Sequence, residues 1–185
     1  MRTKSIMIQG IGSGVGKTTL TAALCRILYQ DGKKVTPFKA QNITLNTYIT
    51  QEGHEIGWVQ AMQAEAAGTC PTNDMNPILI KPANSNLFQI IVHGKIVGNF
   101  TSQECIKYRK EIDINPVIHS YKYLNKKFSY IILEGAGSPA EINSEDVSNM
   151  RTAAFTGSPV ILVGDIDRGG VFASFIGTLE LLSEE

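Results

Sequence analysis

Residues 5–18 read SIMIQGIGSGVGKT: a short apolar run (Ser5 to Gln9), a glycine-rich loop (Gly10 to Gly16), and Lys17-Thr18 opening a helix-forming stretch. Strand, glycine loop, helix is the order that turns a glycine pattern into a phosphate-binding loop. Glycines let the backbone curl so that successive N–H groups point inward at phosphate oxygens, and the helix that follows adds the positive end of its dipole. In that arrangement Gly12, Ser13, Gly14, Val15, Gly16, Lys17, Thr18 and Thr19 cradle the phosphates. Lys17 neutralises β/γ-phosphate charge and the Thr18 hydroxyl faces Mg2+.

Counted from Gly10, the loop is one residue longer than GxxxxGK[ST]. A loop of G, five residues, then GK[ST] is similar to that of dethiobiotin synthetase-like proteins. The partitioning ATPases of the MinD and ParA type carry an additional lysine five positions before the invariant one. Here that position is Gly12.

Working outward, helix formers run from Lys17 to Gln30, with Leu20, Leu24, Ile27 and Leu28 on one face, and stop at Asp31-Gly32. Lys34 to Phe38 predicts the next strand, followed by a polar loop and a helix from about Glu55 to Ala67. Asn76 to Lys81 and Phe88 to Val97 are rich in β-formers, the second interrupted by His93-Gly94 as in a hairpin. A helix fills Ser102 to Asn125, broken or kinked at Pro116. Tyr130 to Leu133 and Pro159 to Val163 are apolar, β-branched central strands, each ending in an acidic, glycine-containing loop. Apolar strands alternating with helices predict an α/β, P-loop NTPase-like fold. Its sheet is mostly parallel, covered by helices on both faces, and binds ligands beyond the carboxyl ends of the strands.

Composition narrows the function. Lysine plus arginine balances aspartate plus glutamate, 17 against 17, so no overall field draws the chain to nucleic acid or an anionic membrane. No apolar stretch approaches the roughly 20 residues of a membrane helix and no signal-like N-terminus is present, which predicts a cytoplasmic protein. Cys25, Cys70 and Cys105 are widely spaced with no CxxC pair, and read as reduced structural thiols. With 185 residues and 43% apolar content, one compact domain is expected.

Mg2+ wants hard oxygen ligands in octahedral array. Glu134 directly follows the strand Tyr130 to Leu133 and begins EGAGSPAEIN, where glycines allow a ligand close to the backbone. It is the foremost candidate for the metal.

At this point the sequence resembles the cobyric acid synthases. The resemblance covers essentially the whole chain: GIGSGVGKT, FKAQNITLN (Phe38 to Asn46), EIGWVQAMQAEAAG (Glu55 to Gly68), DMNPILIKP (Asp74 to Pro82), VHG (Val92 to Gly94), EGAGSPAEIN (Glu134 to Asn143) and VGDIDRGGVFASFIGTLELL (Val163 to Leu182). It implies an amidoligase that uses ATP and glutamine to amidate four peripheral carboxylates of adenosylcobyrinic acid a,c-diamide, giving adenosylcobyric acid. A carboxylate is a poor electrophile, and transfer of the γ-phosphoryl makes an acyl phosphate that ammonia attacks.

The resemblance assigns residues as well. Lys17 and Lys39 are the expected catalytic cations. Thr18, Glu55 and Glu134 are expected to share Mg2+, although Glu55 reads equally as an acid stabilised by the dipole of its own helix. Gln41, Asn42, Asn46, Lys81, Gly135, Gly137, Ser138, Asp165, Asp167 and Arg168 are expected around the corrinoid substrate. An internal Arg168–aspartate ion pair is the rival reading for the last three.

Two departures stand out. Trp58 occupies a place where arginine is expected in the family, and the segment between Asn143 and Asn149 is a couple of residues short. The chain, read as an ATP-binding amidoligase domain over 1–185, is expected to be truncated at its C-terminus. It contains no glutaminase domain and no glutaminase cysteine, so it is expected to bind ATP weakly and not to hydrolyse glutamine. A homodimer is compatible with this reading. Another ligase of the same branch, such as cobyrinic acid a,c-diamide synthase or dethiobiotin synthetase, is the nearest alternative. A nucleotide-dependent switch or metallochaperone is a more distant one, lacking an NKxD signature here.

Overall fold

A computed structural model describes residues 3–84, 86–111, 114–141 and 147–182, with side chains described at all of these except 109–111. The elements, in chain order, are β1 (Lys4–Gly10), α1 (Lys17–Gln30), β2 (Val35–Phe38), β3 (Gln41–Ile43), β4 (Thr47–Ile49), β5 (Glu55–Gly57), α2 (Trp58–Ala66), β6 (Ile78–Asn84), β7 (Leu87–Val92), β8 (Lys95–Thr101), α3 (Ser102–Glu111), α4 (Asn115–Lys127), β9 (Tyr130–Glu134), α5 (Met150–Thr156), β10 (Val160–Val163) and α6 (Val171–Glu180).

The central sheet is parallel throughout, in the order β10-β1-β9-β2. Its strands alternate faces, as a sheet covered on both sides requires. Ile131 and Leu133 of β9 pack with Met7, Phe38 and the α4 residues Val117 and Leu124. Ile132, between them, turns the other way to meet Cys25 of α1, Val35 and Ala67. Large apolar side chains among these are fully buried, each contributing about 1.5–3 kcal/mol of transfer free energy. The predicted α/β fold with a mostly parallel sheet and helices is therefore the one observed.

A second sheet, β3-β6-β7-β8, is parallel between β3 and β6 and antiparallel beyond, and β7 and β8 form the expected hairpin at His93-Gly94. Both turn residues have positive φ, 48° and 72°, and a type I′ hairpin requires this of its two central positions.

Three stretches differ from the sequence reading. The polar loop after β2 contains β3 and β4, and Glu55–Gly57 is not helical but pairs antiparallel with Thr47–Ile49. Helix α2 consequently starts at Trp58, so Glu55 lies on a strand, ahead of the helix dipole that the sequence reading offered it. The reason is long-range: Gly57 N–H donates to Asn76 Oδ1 (3.0 Å), a partner no local window contains. The long helix expected from Ser102 is two helices, with Pro116 in the first turn of α4, where its missing N–H is tolerated. α5, seven residues long, was not foreseen.

Candidate active site

The loop after β1 delivers Lys17 into the molecule. Gly14 (φ 74°) and Gly16 (φ 97°) hold left-handed backbone that side-chain-bearing residues rarely adopt, and Gly16 caps α1. Lys17 is buried, and its Nζ donates to the carbonyl oxygens of Gly12 (2.6 Å) and Gly137 (2.8 Å). The lysine thus ties the phosphate loop to the loop after β9. Burial first, and the nearby Lys39 ammonium second, lower the Lys17 pKa from the ordinary lysine value, against the opposing pull of Glu134 and Glu141.

Glu134, at the carboxyl end of β9, is the hub of the site. Its carboxylate is 1% exposed and is held on three sides. Lys39 Nζ lies 2.7 Å from Oε1, Thr18 Oγ1 donates to the same oxygen at 3.0 Å, and Gln63 Nε2 donates to Oε2 at 2.5 Å. Gln63, fully buried on α2, also donates to the Thr18 carbonyl at 3.3 Å. The sequence reading missed Gln63. The available signal was two glutamines, Gln60 and Gln63, among the buried positions of a mostly apolar helix, since a buried amide needs a specific partner.

Lys17, Thr18, Lys39 and Glu134 line a pocket of about 380 Å3 whose walls also include Ser13, Gly14, Gln41, Asn42, Gly137 and Glu141. Two cations, Lys17 and Lys39, face two carboxylates, Glu134 and Glu141. The pocket lies at the carboxyl edge of β1, β9 and β2, where parallel α/β sheets receive ligands. A neighbouring depression of about 230 Å3 is lined by Gly14, Gly16, Lys17, Thr18 and Thr19, so the phosphate loop presents two concave surfaces.

Comparison with known proteins identifies the family. The CobQ/CobB/MinD/ParA nucleotide binding domain matches residues 6–184. The chain belongs to this family.

Within this nucleotide-binding family the chain is 56% identical over 184 residues to a cobyric acid synthase of Lachnoclostridium phytofermentans, covering 98% of this chain and 36% of the relative. It is 50% identical over 182 residues to a cobyric acid synthase of Caldanaerobacter subterraneus (97% of this chain, 36% of the relative). It is also 50% identical over 184 residues to one of Dehalococcoides mccartyi (98% and 36%). The chain spans a little over a third of the length of these relatives, each of which extends well beyond the matched region.

The remaining candidate residues of this family member fall into four groups. Glu55 sits apart from the pocket walls, and Lys81 Nζ approaches its Oε1 at 2.5 Å. Although partial burial alone would raise the Glu55 pKa, hydrogen bonds from Lys81 and Thr47 and the charge of Lys81 hold it below the usual glutamate value. Gly135 and Ser138 flank the pocket loop. Asn149 Oδ1 accepts from the Ala136 N–H at 3.1 Å, and its Nδ2 donates to the Ala136 carbonyl at 2.6 Å. Asp165 and Arg168 form an exposed ion pair of 3.0 Å, and Asp165 Oδ1 accepts the Asp167 N–H at 3.0 Å. The Arg168 guanidinium nonetheless reaches over the phosphate loop, 3.8 Å from where a Cβ on Gly14 would lie. Asn46 lies outside the pocket, its carbonyl accepting the Trp58 N–H at 3.0 Å. The segment 143–149, expected to be short for the family, lies mostly outside the described residues.

Cys25 is fully buried and its thiol is pushed up to about 12 by desolvation, so it offers no thiolate for catalysis. Among the described residues no helix is long and apolar enough to cross a membrane.

Proposed function

We propose that this chain is the carboxylate-activating, ATP-binding part of a cobyric acid synthase, acting in cobalamin biosynthesis. The γ-phosphoryl of ATP passes to a peripheral carboxylate oxygen of adenosylcobyrinic acid a,c-diamide. ADP leaves, and ammonia displaces phosphate from the resulting acyl phosphate to give the amide. Four such rounds yield adenosylcobyric acid. In this reading ammonia comes from glutamine, hydrolysed by a glutaminase domain of the full-length cytoplasmic protein, for which a homodimer is compatible.

The observation that supports this reading best is the convergence of Lys17, Lys39, Thr18 and Glu134 on one pocket at the sheet's carboxyl edge. Phosphoryl transfer asks little covalent chemistry of a protein and much positioning and charge neutralisation. Backbone N–H groups of residues 12–16 and the start of α1 hold the phosphates, Lys17 offsets charge on the terminal groups, and Lys39 faces the group being transferred. The Gly135–Gly137 backbone leaves room for the acid to approach.

The residues also fit Mg2+. Thr18 Oγ1 and Glu134 Oε1 lie 3.0 Å apart, matching the separation of about 3.0 Å between neighbouring oxygens of an octahedron with bonds of ~2.1 Å. Thr18 and Glu134 would hold the ion, with Glu55 as a further candidate only if it leaves Lys81. Bound there, Mg2+ would neutralise charge on the β- and γ-phosphate oxygens.

The test is ADP release by the full-length protein with and without cobyrinic acid a,c-diamide. Stimulation that depends on Lys39 and Glu134 is the expected result. ADP release indifferent to the corrinoid would overturn the assignment.

A further inference from the structure

We infer that Trp58 forms the ledge on which the corrin ring of the substrate rests while one of its carboxylates enters the phosphate pocket. This rests on the proposed function and assigns its substrate a surface.

Trp58, the first residue of α2, is 52% exposed; Leu45, which lines the same hollow, is 67% exposed, and Ile43, two residues before Leu45, is 48% exposed. A large aromatic clustered with exposed aliphatics marks a contact surface better than any one of them alone. The patch is rooted firmly. The Trp58 N–H donates to the Asn46 carbonyl at 3.0 Å, which fastens the start of α2 to the β3–β4 connection. Between them lies a hollow of about 500 Å3 lined by Leu45, Asn46, Thr47 and Trp58.

Chain connectivity and one hydrogen bond link the hollow to the phosphate pocket. Ile43 is a wall of the pocket and Leu45, two residues on, a wall of the hollow. Asn42, another pocket wall, donates from Nδ2 to Gln60 Oε1 at 2.8 Å, and Gln60 lies two residues after Trp58 on the same helix. A carboxylate that reacts in the pocket must come within about 3–3.5 Å of the phosphoryl group, so the body of its molecule must lie on a surface bordering the mouth. On the β3 and α2 side that border is an indole, two aliphatic side chains, an amide and a hydroxyl. Such a surface suits a flat conjugated macrocycle whose rim carries amides and acids: the ring face lies against Trp58 and Leu45, and the rim against Asn46 and Thr47. The side of the loop reached by Arg168 presents charge instead.

Trp58 is the sole tryptophan of the chain, so its fluorescence reports this ring without any substitution. The chain is titrated with cobyrinic acid a,c-diamide and, separately, with MgATP, following the fluorescence lifetime, which absorption by the corrinoid does not distort. A saturable shortening with the corrinoid and none with MgATP is expected. An unchanged lifetime at concentrations where calorimetry shows the corrinoid bound, or a shortening by MgATP alone, overturns the inference. In the full-length protein Trp58→Ala raises the corrinoid KM about tenfold with kcat changed less than about twofold, and Trp58→Phe restores most of the affinity. If the corrinoid stimulates ADP release but Trp58→Ala leaves its KM unmoved, the ledge is wrong and the proposed function stands. If the corrinoid gives no stimulation, both fall.

Discussion

Lys39, directly after β2, and Glu134 at the end of β9 form an ion pair of 2.7 Å, with the carboxylate 1% exposed and the lysine side chain 10% exposed. Neither charge is well served by water, so each depends on the other until a ligand enters. Breaking one side of such a pair leaves a buried charge uncompensated. Lys39→Met is expected to destabilise the chain by about 3 kcal/mol, less whatever Thr18 and Gln63 retain. The double variant Lys39→Met, Glu134→Gln should recover most of that loss. Urea unfolding of the four members of the cycle measures the coupling, and additive losses would contradict the finding.

Lys17 spans two backbone carbonyls on different loops and is the expected phosphate partner. Lys17→Met should weaken nucleotide binding by about 10- to 100-fold, the worth of a charge-assisted hydrogen bond of about 1.5–3 kcal/mol. Calorimetric titration with MgATP checks it. A less than twofold change would remove Lys17 from the phosphate site.

Gln63 orients Glu134 without standing among the pocket walls. Gln63→Leu frees the Glu134 Oε2 atom and is expected to lower corrinoid-dependent ADP release about tenfold in the full-length protein, with a smaller effect on MgATP affinity. Stability should fall by about 1–3 kcal/mol, because a buried acceptor loses its donor. Gln63→Glu should be worse than leucine, since it sets two carboxylates against each other.

Glu55 supplies a pH dependence. Its pKa in the folded chain lies below the unfolded value of 4.5, so its contribution to stability is complete above that pH. It is lost as pH falls through the lower folded value. Glu55→Gln should therefore be less stable than the parent near neutrality, with the gap closing in acid below about 4.5. Thermal unfolding followed by circular dichroism at stepped pH reads the difference, and a gap independent of pH would show that Lys81 does not hold the Glu55 charge.

Gly135 tests the close packing of the pocket loop. A Cβ there would lie 2.2 Å from Asn149 Oδ1, the atom that accepts the Ala136 N–H. Gly135→Ala is expected to cost about 1–3 kcal/mol by overpacking and to loosen the loop that also receives Lys17. A melting temperature equal to the parent's would show that Asn149 moves aside freely.

What the amino-acid order determined unaided is the part governed by near neighbours. The phosphate loop was legible because its glycines, its preceding apolar run and its following helix formers are contiguous, and α1 begins and ends where the residues indicated. The β7–β8 hairpin and the strands of the central sheet were legible for the same reason, apolar period and turn residues being local signals.

Only the folded chain decided which distant groups meet. Lys39 and Glu134 are separated by 95 residues, and Gln63 and Glu134 by 71. No window of sequence contains either pairing, because a crossing of parallel strands and the packing of α2 bring them together. Glu55 shows the converse: the family resemblance suggested a metal ligand and its place at an expected helix start a helix-dipole acid, yet pairing of β5 with β4 carries it to Lys81. Side-chain identity sets what chemistry is available, and long-range packing sets which charges share a low-dielectric site and so which of that chemistry is realised.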